Sequence, residues 1–305
     1  MKLILLTGFL GAGKTTLLKK LLNAYKTKKI GVMMNEFGET SIDGRLILGN
    51  DFDLIELTNG SIFCACLKEH FITGLAEFLN HNLEIVFVES SGVADPSNME
   101  TILEMVLKIS GKNYDYAGSI CIVDGLYFLK QFEVISALKK QIFYANEVII
   151  NKADLQIPKE LEVIEAKIKE INPEAGIVRA SFCEIPLRAM ISKLTVVKRM
   201  AMVSGNTWET RPNTKVIKTK EVFDYQTFKN FLNEIKRSTY RIKGFVQTNQ
   251  GVFEVSSVND FVVLNPWNEP IEKTEIVLIS SVGIRMISDL LKIWKKYFDD
   301  IPISI

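Results

Sequence analysis

Apolar residues fall in short, nearly unbroken runs through the first two thirds of the chain. These are KLILLT (2–7), IGVMMN (30–35), DLIEL (53–57), EIVFVE (84–89), GSICIVD (118–124), EVIIN (147–151) and GIVRA (176–180). Runs that do not alternate with polar residues mark strands buried on both faces, the habit of a largely parallel sheet. Between them the apolar positions recur at helical spacing over about 14–26, 66–80, 97–109, 126–139 and 158–171, and NPEAG (172–176) reads as a helix stop followed by a turn. Strand and helix in alternation predict an α/β domain built on a doubly wound, mostly parallel sheet.

The pattern changes after about residue 195. VSGNTWETRPNTK (203–215) is polar and broken by Gly and Pro, as a linker is. Beyond it come KVIKTKEVF, the helix-like DYQTFKNFLNEIKR, then YRIKGFVQT, GVFEVSSV, DFVVLNP and TEIVLISS, with an amphipathic helix over 283–298. Strands that follow one another through short turns predict a small α+β domain with an antiparallel sheet and helices on one face. The expected organisation is therefore an α/β domain at 1–195, a linker at 196–214 and a second domain at 215–305. Within the second domain Arg241 and Lys243 alternate with Tyr240, Ile242 and Phe245 and are assigned to the opposite strand face, either a partner-contacting face or a solvated one. Tyr225, Trp267 and Trp294 read as core.

Composition narrows the class. The 305 residues are 47% hydrophobic and 24% charged, enough apolar surface for a sizeable core. Lys and Arg number 37 against 36 Asp and Glu, a net charge of +1, which offers no general pull toward nucleic acid or an acidic membrane. No window approaches the ~20 apolar residues of a membrane span, and MKLILLTG lacks the features of a signal peptide. Four cysteines in a chain of this length make no disulfide framework, which points to a reducing cytoplasm.

Chemistry enters at GFLGAGKT (8–15), which satisfies G-x-x-x-x-G-K-[ST] directly after one strand and at the start of a helix. Gly8, Gly11 and Gly13 let the backbone wrap closely around phosphate oxygens, with Ala12 and Thr16 completing the cradle. Lys14 is assigned to the β- and γ-phosphates and the Thr15 hydroxyl to Mg²⁺. EIVFVESSG is an apolar strand ending in an acid: Glu89 would hold the Mg²⁺, and the turn through Gly92 would lie near the γ-phosphate. NKAD (151–154) follows a later strand. A carboxylate at Asp154 accepts from both N1–H and the 2-amino group of guanine, a donor pair adenine lacks, so GTP and GDP are expected rather than ATP. Asn151 would brace this loop and the Lys152 stem would lie along the base.

TGFLGAGKTTLL (7–18), NEFGETSIDG (35–44), ESSGVADP (89–96), NKADL (151–155) and RIKGF (241–245), in that order, resemble the CobW-like metal-trafficking GTPases, relatives of the nickel-insertion GTPases of urease and hydrogenase maturation. The resemblance covers nearly the whole chain. It implies a Mg²⁺-dependent GTPase that delivers a metal or a metal-containing cofactor to a client metalloenzyme. It also implies that residues 35–44 form a switch segment in which Glu36, and less directly Asp43, acts near Mg²⁺ and the attacking water. No arginine finger or water-positioning glutamine stands out, so intrinsic hydrolysis is expected to be slow, with a partner, a metal or homodimerisation completing the site.

Two of the cysteines lie in NGSIFCACLKEH (59–70). Members of the family carry C-x-C-C after NG; here Ser61 and Phe63 stand at the first two positions and only Cys64 matches, with Cys66 added. Cys64 and Cys66, with His70 one helical turn beyond, make a candidate transition-metal set for Zn or Co. Structural cysteines and a redox pair are the competing readings, and Cys121 and Cys183 read as core. The departure from the family pattern also admits a corrinoid or other bulky cofactor as cargo. Two further function classes remain: a switch GTPase that handles no metal, and a small-metabolite kinase, against which NKAD argues.

Overall fold

The computed structural model describes residues 1–35, 53–57, 68–92, 94–194, 213–258, 261–301 and 303. Glu36, Asp43, Cys64 and Cys66 lie outside them. The chain divides into two compact units, Met1–Thr210 and Arg211–Ile305.

Among the described residues the first unit holds seven strands: β1 (Lys2–Gly8), β2 (Ile30–Asn35), β3 (Asp53–Leu57), β4 (Ile85–Glu89), β5 (Asp115–Asp124), β6 (Glu147–Asn151) and β7 (Gly176–Arg179). They form one sheet in the order β3-β2-β4-β1-β5-β6-β7, and every pairing is parallel. The helices are α1 (Lys14–Ala24), α2 (Lys68–Phe78), α3 (Met99–Ser110), α4 (Phe128–Val134), α5 (Ser136–Phe143), α6 (Pro158–Ile171) and α7 (Leu187–Lys193). The unbroken apolar run of β1 explains the layering. Leu3, Ile4, Leu5 and Leu6 are all fully buried, and successive residues point to opposite faces. Ile4 and Leu6 pack with Leu17, Leu18 and Leu21 of α1 and Met190 and Ile191 of α7. Leu3 and Leu5 pack with Phe71 and Leu75 of α2 and Ile102 and Val106 of α3. Each of these side chains contributes about 1.5–3 kcal/mol by leaving water, so the sheet is locked from both sides.

One expected helix, 126–139, is two. Ile135 is extended (φ −109°, ψ 97°) and separates α4 from α5 while its own side chain stays buried. The short α7 was not expected at all.

The second unit contains β8 (Thr214–Thr219), α8 (Tyr225–Ile235), β9 (Thr239–Thr248), β10 (Gly251–Val258), β11 (Phe261–Trp267), β12 (Thr274–Ser280) and α9 (Arg285–Phe298). Its five-stranded antiparallel sheet runs β11-β10-β9-β12-β8. Phe228, Phe231 and Leu232 of α8 and Met286, Leu290, Trp294 and Phe298 of α9 cover Ile217, Ile242, Val246, Val255, Ile276 and Leu278 on one face. Asp224 caps α8 by accepting from the Thr227 N–H at 2.8 Å. Several sequence expectations change in this unit. Phe245 shares the parity of Arg241 and Lys243, not of Ile242, and its ring packs on Trp267 at 4.9 Å. Lys243 is buried, so this is not a solvated lysine face. Trp294 is core, whereas Tyr225 and Trp267 are half-buried. Among the described residues no helix is long and apolar enough to cross a membrane.

Candidate functional site

The carboxyl ends of the central parallel strands, the usual ligand edge of a doubly wound sheet, bring together residues from five separate stretches of sequence. β1 ends at Gly8 and the chain turns into α1 through Gly11 (φ 74°) and Gly13 (φ 117°), backbone that side chains other than glycine resist. Gly13 is required twice over, because a Cβ there would also strike the Asn151 side chain. Helix α1 starts at Lys14 with no side-chain cap and no acid in its first turn, an arrangement that suits an anion at its leading N–H groups. Lys14 is buried, and its ammonium donates to the Gly8 carbonyl at 2.9 Å and the Phe9 carbonyl at 3.3 Å. Ala12 is buried, Thr15 half-buried and Thr16 exposed.

Glu89, the last residue of β4, is buried beside this loop, and the Thr15 hydroxyl donates to its Oε1 at 3.0 Å. The chain then turns against the phosphate loop: Ser90 N–H donates to Leu6 O at 3.0 Å, and a Cβ on Gly92 would lie 2.7 Å from the Leu10 backbone nitrogen. The Ser91 hydroxyl is buried and has no hydrogen-bond partner among the described residues. The turn is gripped from behind by α5. Gln141 Nε2 donates to Ala94 O at 2.9 Å and Gly92 O at 3.3 Å, and Lys140 pairs with Asp95 at 2.8 Å. Burial alone would push the Asp95 carboxyl up, but Lys140 and the Ser97 N–H and hydroxyl outweigh it and hold it below the ordinary aspartate range.

Asn151, ending β6, ties the turn after β6 to the glycine loop after β1. Its Nδ2 donates to Ala12 O at 2.8 Å, and its Oδ1 accepts from the Cys183 N–H at 2.9 Å. Lys152 adopts a left-handed conformation (φ 60°), and its ammonium pairs with Asp124 at 2.6 Å. Asp154 is exposed in the short turn Ala153–Leu155. The structure thus brings Gly8, Gly11, Ala12, Gly13, Lys14, Thr15, Glu89, Gly92, Asn151, Lys152 and Asp154 to one edge of the sheet.

Three contributors were not singled out from sequence. Asp124 ends β5, and its Oδ1 also accepts from the Leu126 N–H at 3.0 Å; an acid closing an apolar strand is the same signal that marked Glu89. Cys183 is core, as expected, but it is also part of the site wall. It and Phe182 have positive φ (56° and 52°), at a cost of about 1–3 kcal/mol each, which turns the Cys183 N–H onto Asn151. Gln141 had no sequence signal.

His70 is exposed near the start of α2, and its proposed companions Cys64 and Cys66 lie outside the described residues. Among the described residues no three His, Cys, Asp or Glu side chains cluster as a metal site. Burial pushes the Cys121 thiol up to about 12 and the Cys183 thiol up to about 11. At pH 7.5 the reactive thiolate is then on the order of one part in a thousand or less at either residue. Maleimide labelling of the native protein followed by peptide mass analysis is expected to leave Cys121 and Cys183 unmodified, and to modify both only after denaturation.

Residues 2–179 match the model described as CobW/HypB/UreG, nucleotide-binding domain, and residues 213–292 match the cobalamin synthesis protein CobW C-terminal domain. The chain belongs to the CobW family. Among its curated relatives is the zinc chaperone YjiA of Escherichia coli, 30% identical over 223 residues, which cover 71% of this chain and 67% of YjiA. Another is zinc-regulated GTPase metalloprotein activator 1 of Dictyostelium discoideum, 28% identical over 61% of this chain but only 47% of its own length. The chain therefore spans about half to two thirds of these CobW-family relatives. The crystal structure of Zn(II)-bound YjiA GTPase from E. coli aligns over 96% of this chain and 98% of its own at 20% identity, with a TM-score of 0.47.

Proposed function

We propose that the chain is a slow, Mg²⁺-dependent GTP hydrolase that delivers a metal or metal-containing cofactor to a client metalloprotein. The observation that carries this reading is the bracing of the base loop against the phosphate loop through Asn151, with Thr15 and Glu89 side by side at the phosphate end. A hydroxyl and a carboxylate are hard oxygen donors of the kind Mg²⁺ takes, so these two residues fit the ion, which when bound would neutralise phosphate charge. Lys14 holds the β- and γ-phosphates and the α1 amides bind their oxygens. Asp154 reads the guanine edge, Lys152 is fixed along the base by Asp124, and the Gly92 turn senses the γ-phosphate.

Metal delivery is supported by the names of the relatives, a zinc chaperone and a zinc-regulated activator, and by the soft thiolate chemistry of Cys64 and Cys66, which suits Zn²⁺ or Co²⁺. His70 is the proposed third ligand and Glu36 the switch acid acting on water. A corrinoid cargo, a homodimer and a cytoplasmic site of action belong to the same proposal. The test is a titration with Zn²⁺ and Co²⁺, with and without a non-hydrolysable GTP analogue. The expected outcome is a nucleotide-dependent metal affinity, matched by an equal metal-dependent change in nucleotide affinity and weakened in Cys64→Ser. No tight metal binding in either state, together with no effect of Cys64→Ser, would sink the delivery half. Transfer of radiolabelled phosphate to a metabolite rather than to water would replace hydrolase with kinase.

A further inference from the structure

The turn after Glu89 is held by two adjacent residues of a helix that carries none of the nucleotide motifs. Gln141 is fully buried, and both hydrogens of its amide nitrogen are spent on the carbonyls of Gly92 and Ala94. Its own Oε1 has no hydrogen-bond partner among the described residues. A glutamine kept only for packing does not need this arrangement, since burying an amide oxygen without a partner disfavours the folded state. The gain lies at the other end, on Gly92. That residue fits so tightly against Leu10 of the phosphate loop that a methyl group there would overlap it. With its carbonyl held, Gly92 is restricted in how it can rotate, and the direction of the peptide facing the phosphate loop is restricted with it. Lys140, one residue earlier, holds Asp95, whose Oδ1 accepts from the Ser97 N–H at 3.0 Å. The later part of the turn, at Gly92, Ala94 and Asp95, is thus anchored on α5.

We infer that Gln141 is a positioning residue for hydrolysis: by holding the Gly92 and Ala94 carbonyls it orients the turn that meets the γ-phosphate. Lys140 and Asp95 set where that turn ends. This rests on the GTPase reading above. The residue touches neither nucleotide nor metal and acts only through the turn. Binding of the base and of the α- and β-phosphates runs through Asp154, Asn151 and the phosphate loop, so it is independent of Gln141, whereas the step that requires an oriented γ-phosphate is not.

Steady-state GTP hydrolysis and GDP affinity separate the two roles. Gln141→Met keeps the length of the side chain and removes both donors. Gln141→Glu keeps the size and sets acceptors against the two carbonyls. For Gln141→Met we expect kcat to fall about tenfold, the size of effect lost with two neutral hydrogen bonds, with KM for GTP and Kd for GDP within twofold of wild type. The Glu variant should fall further. Gln141→Asn, which retains the donors but is one methylene shorter, should lie between Met and wild type. Thermal melts of each variant identify any that fail to fold. A wild-type rate in both the Met and Glu variants overturns the inference while leaving the GTPase reading intact. So does a loss of GDP affinity and melting temperature in step with kcat, because it assigns Gln141 to general stability. A wild-type protein that turns over no GTP overturns the GTPase reading and, separately from these variants, the inference built on it.

Discussion

Asp154→Asn is expected to weaken GTP and GDP binding about a thousandfold and to create binding of xanthosine nucleotides in their place. Guanine presents N1–H and a 2-amino group, two donors that, on the proposed reading, the Asp154 carboxylate accepts together. Each hydrogen bond to a charged group is worth roughly 1.5–3 kcal/mol, and losing one while facing the other with an amide N–H removes about 4 kcal/mol in total. Xanthine has N1–H beside a carbonyl at position 2, one donor and one acceptor, which is the complement of an asparagine amide. Because Asp154 is exposed and lies in a short surface turn, the substitution should leave the melting temperature within about a degree of wild type. Competition of GTP, ATP and XTP for a fluorescent nucleotide analogue gives the answer. An Asn variant that still prefers GTP would place the base elsewhere.

Lys14→Ala is expected to lower kcat/KM for GTP by two to three orders of magnitude. The lysine is buried within the phosphate loop, and its ammonium is aimed by the Gly8 and Phe9 carbonyls. Charge in so enclosed a site stabilises a phosphoryl group far better than the same charge in water, and removing one such donor commonly costs ~10²–10³ in rate. The two carbonyls would also lose a donor, so Lys14→Met, which fills the same channel, serves as the companion variant. Single-turnover hydrolysis with both variants is the measurement. A rate within tenfold of wild type would remove Lys14 from the phosphates.

Local signals made much of the architecture legible. β2, β3, β6 and α6 occupy the ranges read from hydrophobic pattern alone, because each is a short apolar or strongly amphipathic run bounded by turn residues. The phosphate loop was legible because three glycines, a lysine and a threonine must sit at fixed spacing after a strand. The break at Ile135 and the seven-residue α7 were not legible. Both depend on what the side chains meet across the sheet, and α7 is held by Met190 and Ile191 entering the α1 layer. Phe245 divides the two cases: its face follows from the alternation of side chains along its strand, whereas Trp267 as its neighbour follows only from strand pairing.

What the sequence determined by itself was a set of local parts: a phosphate loop, an acid closing an apolar strand, and an N-K-x-D turn after another strand. Each is encoded within about ten consecutive residues, where backbone propensity and side-chain chemistry act locally. Only the tertiary structure decided which groups complete those parts. Asp124 reaches Lys152, Cys183 reaches Asn151, and Gln141 reaches Gly92 across separations of 28, 32 and 49 residues. Such contacts are set by the order in which parallel strands pair and by the helices packed behind them, and no local pattern in the chain records that.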